Sequence, residues 1–206
     1  MESSMRRKEF DVQDEEEIRA FLAEMTFGFM GSRTDDYPHI TPLNFVFANN
    51  VIYFHGSRVG QKMRDLAADP RVTFAVAREF AIIPSYFSEE EIACPATAFF
   101  KSVMIYGRAA EVTDLEEKKN ALEAFMQKLQ PEGGYRPFDL ADKEYYRNIK
   151  GVSVVKIVPE KMTAKFKFGQ NQKEAKWNKV AASLEKRGTE SDLETLENMK
   201  KRCPFH

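Results

Sequence analysis

The sequence predicts a mostly β fold, a small antiparallel barrel with helices at its rim. Three observations point there. Five or six apolar runs of strand length are parted by turn residues, the helical segments among them are short, and one longer helix makes a single crossover. With 43% apolar residues over 206 positions the chain can build a proper core. Phe dominates its aromatics, 17 against 7 Tyr and one Trp, which suits an aromatic core or a pocket for a flat ligand.

The elements follow in order. In "DVQDEEEIRAFLAEM", Asp14 stands three residues before Glu17, and Ile18, Phe21, Leu22 and Met25 recur at helical spacing, so a capped helix opens the domain. "TFGFMGSR" is a short aromatic strand and "TDDYP" a turn. "HITPLNFVFA" alternates Thr41, Leu43, Phe45 and Phe47 against Pro42, Asn44, Val46 and Ala48. Asn49 and Asn50 accept left-handed angles cheaply, so "VIYFHG" returns as the second arm of a hairpin. Pro42 cannot donate to a ladder and marks an edge, a bulge or a place where something else approaches. "SRVGQKMRDLAADP" reads as a short helix ended before Pro70, its first turn carrying Ser57, Arg58, Gly60 and Lys62. "RVTFAVA" is a strand, and "FFKSVMIYGRAAEVTD" a long one with a bend at Gly107. Asp114 then opens the helix "LEEKKNALEAFMQKLQ", which "PEGG" stops. After a loop, "GVSVVKIVPEKMTAKFKF" is strand, turned at Pro159. Two charged helices parted by Gly188 close the chain.

Several function classes lose support from composition. The 31 basic and 32 acidic residues nearly cancel, so net charge indicates no nucleic-acid or anionic-membrane surface. "MRRKEF" and "EKMTAKFKF" read as solvated faces. The start lacks the apolar core of a signal peptide and no window has the length of an apolar membrane span, which predicts a cytoplasmic protein with no membrane partner. Cys94 and Cys203 stand far apart and fit reduced thiols. His39, His55 and His206 lack the spacing of a metal site.

Chemistry concentrates after the hairpin. A helix N-terminus offers unpaired N–H groups and partial positive charge. Here it follows a strand and brings the Ser57 hydroxyl, the Arg58 guanidinium, a glycine at 60 and the Lys62 ammonium, the groups suited to a phosphate monoester. Ser-Arg-x-Gly-x-Lys also occurs as a plain helix cap with solvated charges. His39 is either a half-exposed histidine at a strand start or a proton donor. Cys94, beside Pro95, is a redox-active thiol only if something lowers its pKa.

The string "YPHITPLNF…IYFHGS…GQKMRDL", continued by "YGRAAEVTDLEEKKNALEAFM", resembles the FMN-binding split barrels of the pyridoxamine 5′-phosphate oxidase superfamily, in particular the nitroimidazole-resistance (Nim) branch. The resemblance runs from about "MRRKEF" to about "KFKF" and implies an antiparallel, Greek-key-like split barrel over residues 1–168, with a helical C-terminal extension, 169–206, packed on the barrel or on a partner. It implies a homodimer with FMN in a groove between subunits. The phosphate would meet Ser57, Arg58 and Lys62 near Gly60 and Gln61, and His55 would sit beside the ribityl-phosphate chain. Pro42, Leu43 and Asn44 would lie against the ring system, with Lys101, Ser102 and Val103 adding a further wall and polar contacts. His39 falls where the Nim branch carries a histidine near the reactive face, which makes it the catalytic candidate.

The function implied is a flavin-dependent oxidoreductase or reductase of a small molecule, with a nitroaromatic acceptor as the substrate class. No G-x-G-x-x-G is present, so a tightly held nicotinamide partner is not indicated. The alternatives are a non-catalytic flavin- or haem-binding sensor with His39, His55 or His206 as axial ligand, and a regulatory protein whose charged tail binds a partner. The tail departs from a minimal Nim-like domain: Gln170 and Asn171 either touch cofactor or cap the following helix, with capping expected of Asn171.

Overall fold

Local capping and turn chemistry start most elements where the sequence places them. The computed structural model describes residues 5–89 and 91–205. A two-residue strand, β1 (Asp11–Val12), precedes α1 (Glu15–Glu24), whose N-cap Asp14 accepts from the N–H of Glu16 at 3.0 Å and Glu17 at 3.2 Å. β2 (Phe27–Ser32) pairs antiparallel with β3 (His39–Asn44), placing Phe29 opposite Pro42 and Ser32 opposite His39. β4 (Val46–Ala48) and β5 (Val51–Gly56) form a hairpin around Asn49 and Asn50, at φ 53° and 62°.

"HITPLNFVFA" is therefore two strands and not one. Phe45 and Val46 are both buried in succession, which breaks the two-residue period, and the chain changes pairing partner there. Phe45 donates its backbone N–H to the carbonyl of Thr26 at 3.1 Å instead of to a strand neighbour.

After α2 (Gln61–Ala68) come the long strands β6 (Arg71–Ile83) and β7 (Thr97–Glu111), then α3 (Leu115–Leu129), α4 (Lys143–Gly151) and β8 (Ser153–Lys167). α5 (Glu174–Arg187) and α6 (Glu190–Lys201) follow on either side of Gly188. The segment before β8, expected as loop, contains α4, capped by Asp142, which accepts from Glu144 and Tyr145. β7 and β8 run on as strand through Gly107 and Pro159, so Pro159 does not end its strand in a turn. A Cβ at Gly107 would run into the backbone carbonyl of Val158.

Among the described residues eight strands form one antiparallel sheet in the order β3-β2-β6-β7-β8-β5-β4, with β1 paired to β8. The chain divides into two compact units. One, Asp14–Val76 with Val103–Met162, holds β2 to β5 and the adjoining parts of β6, β7 and β8. Its terminal strands β3 and β4 are joined through Phe45 alone, so the sheet curls back on itself as a split barrel. Its core includes Phe45 edge-on to Phe74 at 5.1 Å, and Phe125 and Ala121 of α3 buried in a cluster with Val46, Tyr53, Val112 and Val154. The other comprises the described residues of Met1–Gln13, Ala77–Ser102 and Thr163–His206. There Phe80, Phe99, Phe166 and Phe168 are buried, as are Trp177, Val180 and Leu184 of α5 and Leu196 and Met199 of α6. Arg187 donates to the carbonyl of Ile82 at 3.1 Å, and Arg78 pairs with Glu194, so the C-terminal helices hold the end of β6. No described helix is long and apolar enough to cross a membrane.

Candidate functional site

β5 ends at Gly56, four residues outside strand and helix follow, and α2 begins at Gln61. Ser57 and Arg58 therefore precede the helix instead of lying in its first turn. The N-cap is Gly60, at φ 123° and ψ 177°, a conformation that only glycine adopts without strain. No side chain caps this helix, and a Cβ at Gly60 would meet nothing within 4 Å, so the space before the first turn is open. The loop and first turn on either side of Gly60 carry a hydroxyl, a guanidinium and an ammonium. Ser57 Oγ accepts from the N–H of Val59 at 3.2 Å, which leaves its proton to donate. Arg58 donates to the carbonyl of Lys150 at the end of α4, with the rest of its five donors still available. Lys62 Nζ lies 5.0 Å from the centre of the Phe54 ring, and burial pulls its pKa below the usual lysine range. His55 meets Phe125 edge-on at 4.8 Å; burial first and the Lys62 charge second lower its pKa, so it is neutral at neutral pH. This donor set suits a phosphate dianion at a helix N-terminus.

A second constellation lies where β2, β3 and α2 meet. Register sets Ser32 opposite His39, and both side chains reach Asp65 of α2. His39 Nδ1 is 2.8 Å from Asp65 Oδ2, Ser32 Oγ donates to the same oxygen at 3.2 Å, and Gln61 Nε2 donates to Oδ1 at 2.6 Å. Asp65 is 5% exposed and His39 38%. Burial raises the Asp65 pKa, but the bonds from His39, Gln61 and Ser32 together outweigh it and hold the carboxyl below its ordinary value. The structure thus contains an anionic carboxylate behind a half-exposed imidazole. Sequence reasoning missed Asp65, which sits inside "GQKMRDL" at i+4 from Gln61 but 26 residues from His39.

The other predicted positions distribute as follows. β3 is an edge of the strand order, the place where a sheet tolerates Pro42. Pro42 and Asn44 are exposed on one face with Ile40, Leu43 is half-buried on the other, and Asn44 Nδ2 donates to the carbonyl of Thr26 at 3.2 Å. In the other unit, Lys101 Nζ stands 5.1 Å and 5.2 Å from the ring centres of Phe80 and Phe166, and Ser102 Oγ is 3.5 Å from the carbonyl of Lys165. Val103 is fully buried. Cys94 is exposed. Gln170 closes the end of β8, accepting from the N–H of Phe168 at 2.6 Å and donating to the carbonyl of Phe166 at 2.8 Å. Asn171 does not cap α5: the N-cap is Lys173, two residues later, with no side-chain bond. His206 lies outside the described residues.

Comparison with known proteins bears on these features. The family model described as pyridoxamine 5′-phosphate oxidase matches residues 14–166, most of the chain. Curated protein sequences give no match. Among solved structures, a flavocytochrome from Azotobacter vinelandii is similar at TM-score 0.65 and 21% identity, covering 80% of this chain and 72% of that one. A FAD and haem binding protein from Mycobacterium smegmatis is similar at 0.62 and 12%, covering 76% and 73%. A protein from Bacteroides thetaiotaomicron to which 5-nitroimidazole antibiotic resistance has been ascribed is similar at 0.59 and 20%, covering 75% and 85%.

Proposed function

The chain belongs to the pyridoxamine 5′-phosphate oxidase family, and from that premise we propose that it is an FMN-binding flavoprotein, a homodimer that reduces a small molecule of nitroaromatic type. The observation that carries this is the uncapped start of α2 at Gly60, with Ser57, Arg58 and Lys62 within three residues of it along the chain. Bound FMN supplies the electron-transfer chemistry, which no side chain of the chain provides. Ser57, Arg58, Lys62 and the first-turn N–H groups near Gln61 hold the phosphate, with neutral His55 beside the ribityl chain. Pro42, Leu43 and Asn44 lie along the ring system, and Lys101, Ser102 and Val103 complete the proposed cofactor contacts. His39 is the proton donor to the acceptor.

Support for a second copy comes from the outer face of β2 and β3, where Phe27, Phe29 and Ile40 are 45%, 48% and 57% exposed beside Pro42. Such a contiguous apolar patch is costly to leave in water. The deciding experiment is the visible spectrum of the purified protein with chromatography of whatever denaturation releases. Released FMN, with reduction of a nitro compound once a donor has reduced the flavin, is the expected result. A colourless protein that takes up no added FMN overturns the proposal. A haem spectrum would favour the second reading, which has one geometric support: a histidine whose Nδ1 is held by a carboxylate presents Nε2 as a ligand.

A further inference from the structure

We propose that Asp65 is a positioning residue that holds a proton on His39 Nδ1, so that Nε2 is the nitrogen that takes up a proton from solvent and, from the imidazolium so formed, passes it to the acceptor. The proposal rests on the reading of His39 as the group beside the flavin. It is carried by the directions of four hydrogen bonds, which follow from one another once Asp65 is a carboxylate.

Arg64 has only donors, and its NH2 group lies 2.6 Å from Gln61 Oε1. That contact fixes the amide orientation of Gln61, so its Nε2 must be the atom 2.6 Å from Asp65 Oδ1. Asp65 Oδ1 is thereby an acceptor. Oδ2 receives the Ser32 hydroxyl at 3.2 Å and faces His39 Nδ1 at 2.8 Å. An ionised carboxylate only accepts, so the proton on that side of the ring belongs to Nδ1. Nε2 has no hydrogen-bond partner among the described residues, and the imidazole is 38% exposed while the carboxylate behind it is 5% exposed. The ring is thus anchored through its buried nitrogen and open at the other.

The anchor is built from three elements. β2 and β3 present Ser32 and His39 side by side through their register, and α2 supplies Gln61 and Asp65 one turn apart. Ser32 is itself 3% exposed, and its hydroxyl lies nearer Asp65 Oδ2 than the His39 carbonyl at 3.5 Å, so the carboxylate is held in a buried polar network. Such an arrangement orients an imidazole without touching the reacting molecule, which separates Asp65 from His39 in role.

The test is long-range nitrogen–proton correlation NMR on protein labelled with nitrogen-15 in histidine, the His39 signals being identified by their loss in His39→Gln. The wild-type spectrum should show Nδ1 protonated and Nε2 bare at alkaline pH. In Asp65→Asn the amide N–H2 would face His39, because Gln61 still demands the amide oxygen. The tautomer should then switch to Nε2–H, FMN should stay bound, and turnover with a nitroaromatic acceptor should fall roughly 100-fold. A wild-type spectrum showing Nε2–H, an unchanged tautomer in the folded variant, or a switched tautomer with full turnover would each overturn the proposal. The wild-type spectrum decides the first point even if Asp65→Asn does not fold. Failure to bind FMN at all would sink the flavin reading separately, since the tautomer is read without cofactor.

Discussion

Two helix starts in this chain are built in opposite ways. α6 opens on Thr189 with both halves of a capping box: Thr189 Oγ1 accepts from the N–H of Asp192 at 3.2 Å, and Asp192 accepts from the N–H of Thr189 at 3.2 Å. Asp192 is further gripped by Arg187, with Nε at 2.8 Å. α2 opens on a glycine with no capping side chain, and the polar groups around it are one hydroxyl and two cations. A helix start that serves stability uses its donors at once. One that leaves them open beside cations, as α2 does, can accept an anion, which is the role proposed for it above.

Experiments can break or sharpen that contrast. The largest effect belongs to the double variant Arg58→Ala, Lys62→Ala, which removes two charge-assisted contacts of about 1.5–3 kcal/mol each. The FMN Kd, followed by quenching of flavin fluorescence, should rise by about 10²–10⁴, and an unchanged Kd would return α2 to an ordinary solvated cap. Next comes Asp192→Asn at the other helix. The hydrogen bonds of Arg187 hold the Asp192 pKa at about 2, against burial, from an ordinary 3.8. Because the folded value is the lower, the stabilisation is present above about pH 4 and is lost as the pH falls through about 2. Denaturant midpoints should show the variant less stable by roughly 2 kcal/mol at neutral pH, with the gap closing in acid. A gap that persisted at pH 2 would assign the loss to packing.

Gly60→Ala should cost on the order of 1–2 kcal/mol from the backbone alone, since its surroundings hold no clash, and should weaken FMN binding as well. Loss of stability with FMN affinity intact would show that the glycine serves only the turn. The smallest effect is Thr189→Ala, about 1 kcal/mol, or a Tm lower by roughly 2–4 °C for a chain of this size, with FMN affinity unchanged. Weaker FMN binding there would contradict the division of labour between the two helix starts.

Much of this is legible in the sequence. The caps Asp14 and Asp114, the turn at Asn49 and Asn50 and the helix pair around Gly188 all depend on residues a few positions apart. The cation-bearing start of α2 was visible for the same reason. The exceptions came where a local pattern met a tertiary demand. "HITPLNFVFA" alternates well enough to look like one strand, but Phe45 and Val46 are both taken into the core and the strand splits. At Gly107 the strand is uninterrupted, and β8 passes too close for a side chain. α4 was missed because "KEYYRNIKG" is short and polar, and buries only Ile149. Asn171 seemed a cap, but the helix starts at Glu174.

The sequence by itself determined the fold class, the family resemblance and the grouping of Ser57, Arg58, Gly60 and Lys62 at the start of α2. Each rests on neighbours along the chain, where spacing and residue type are sufficient. The tertiary structure decided that β3 leaves its apparent hairpin partner for β2, that the sheet closes through Phe45, and that His39 is backed by Asp65, Ser32 and Gln61. Those outcomes join residues from separate strands and a helix. Strand register and helix docking bring them together, and neither leaves a mark in the spacing of the chain.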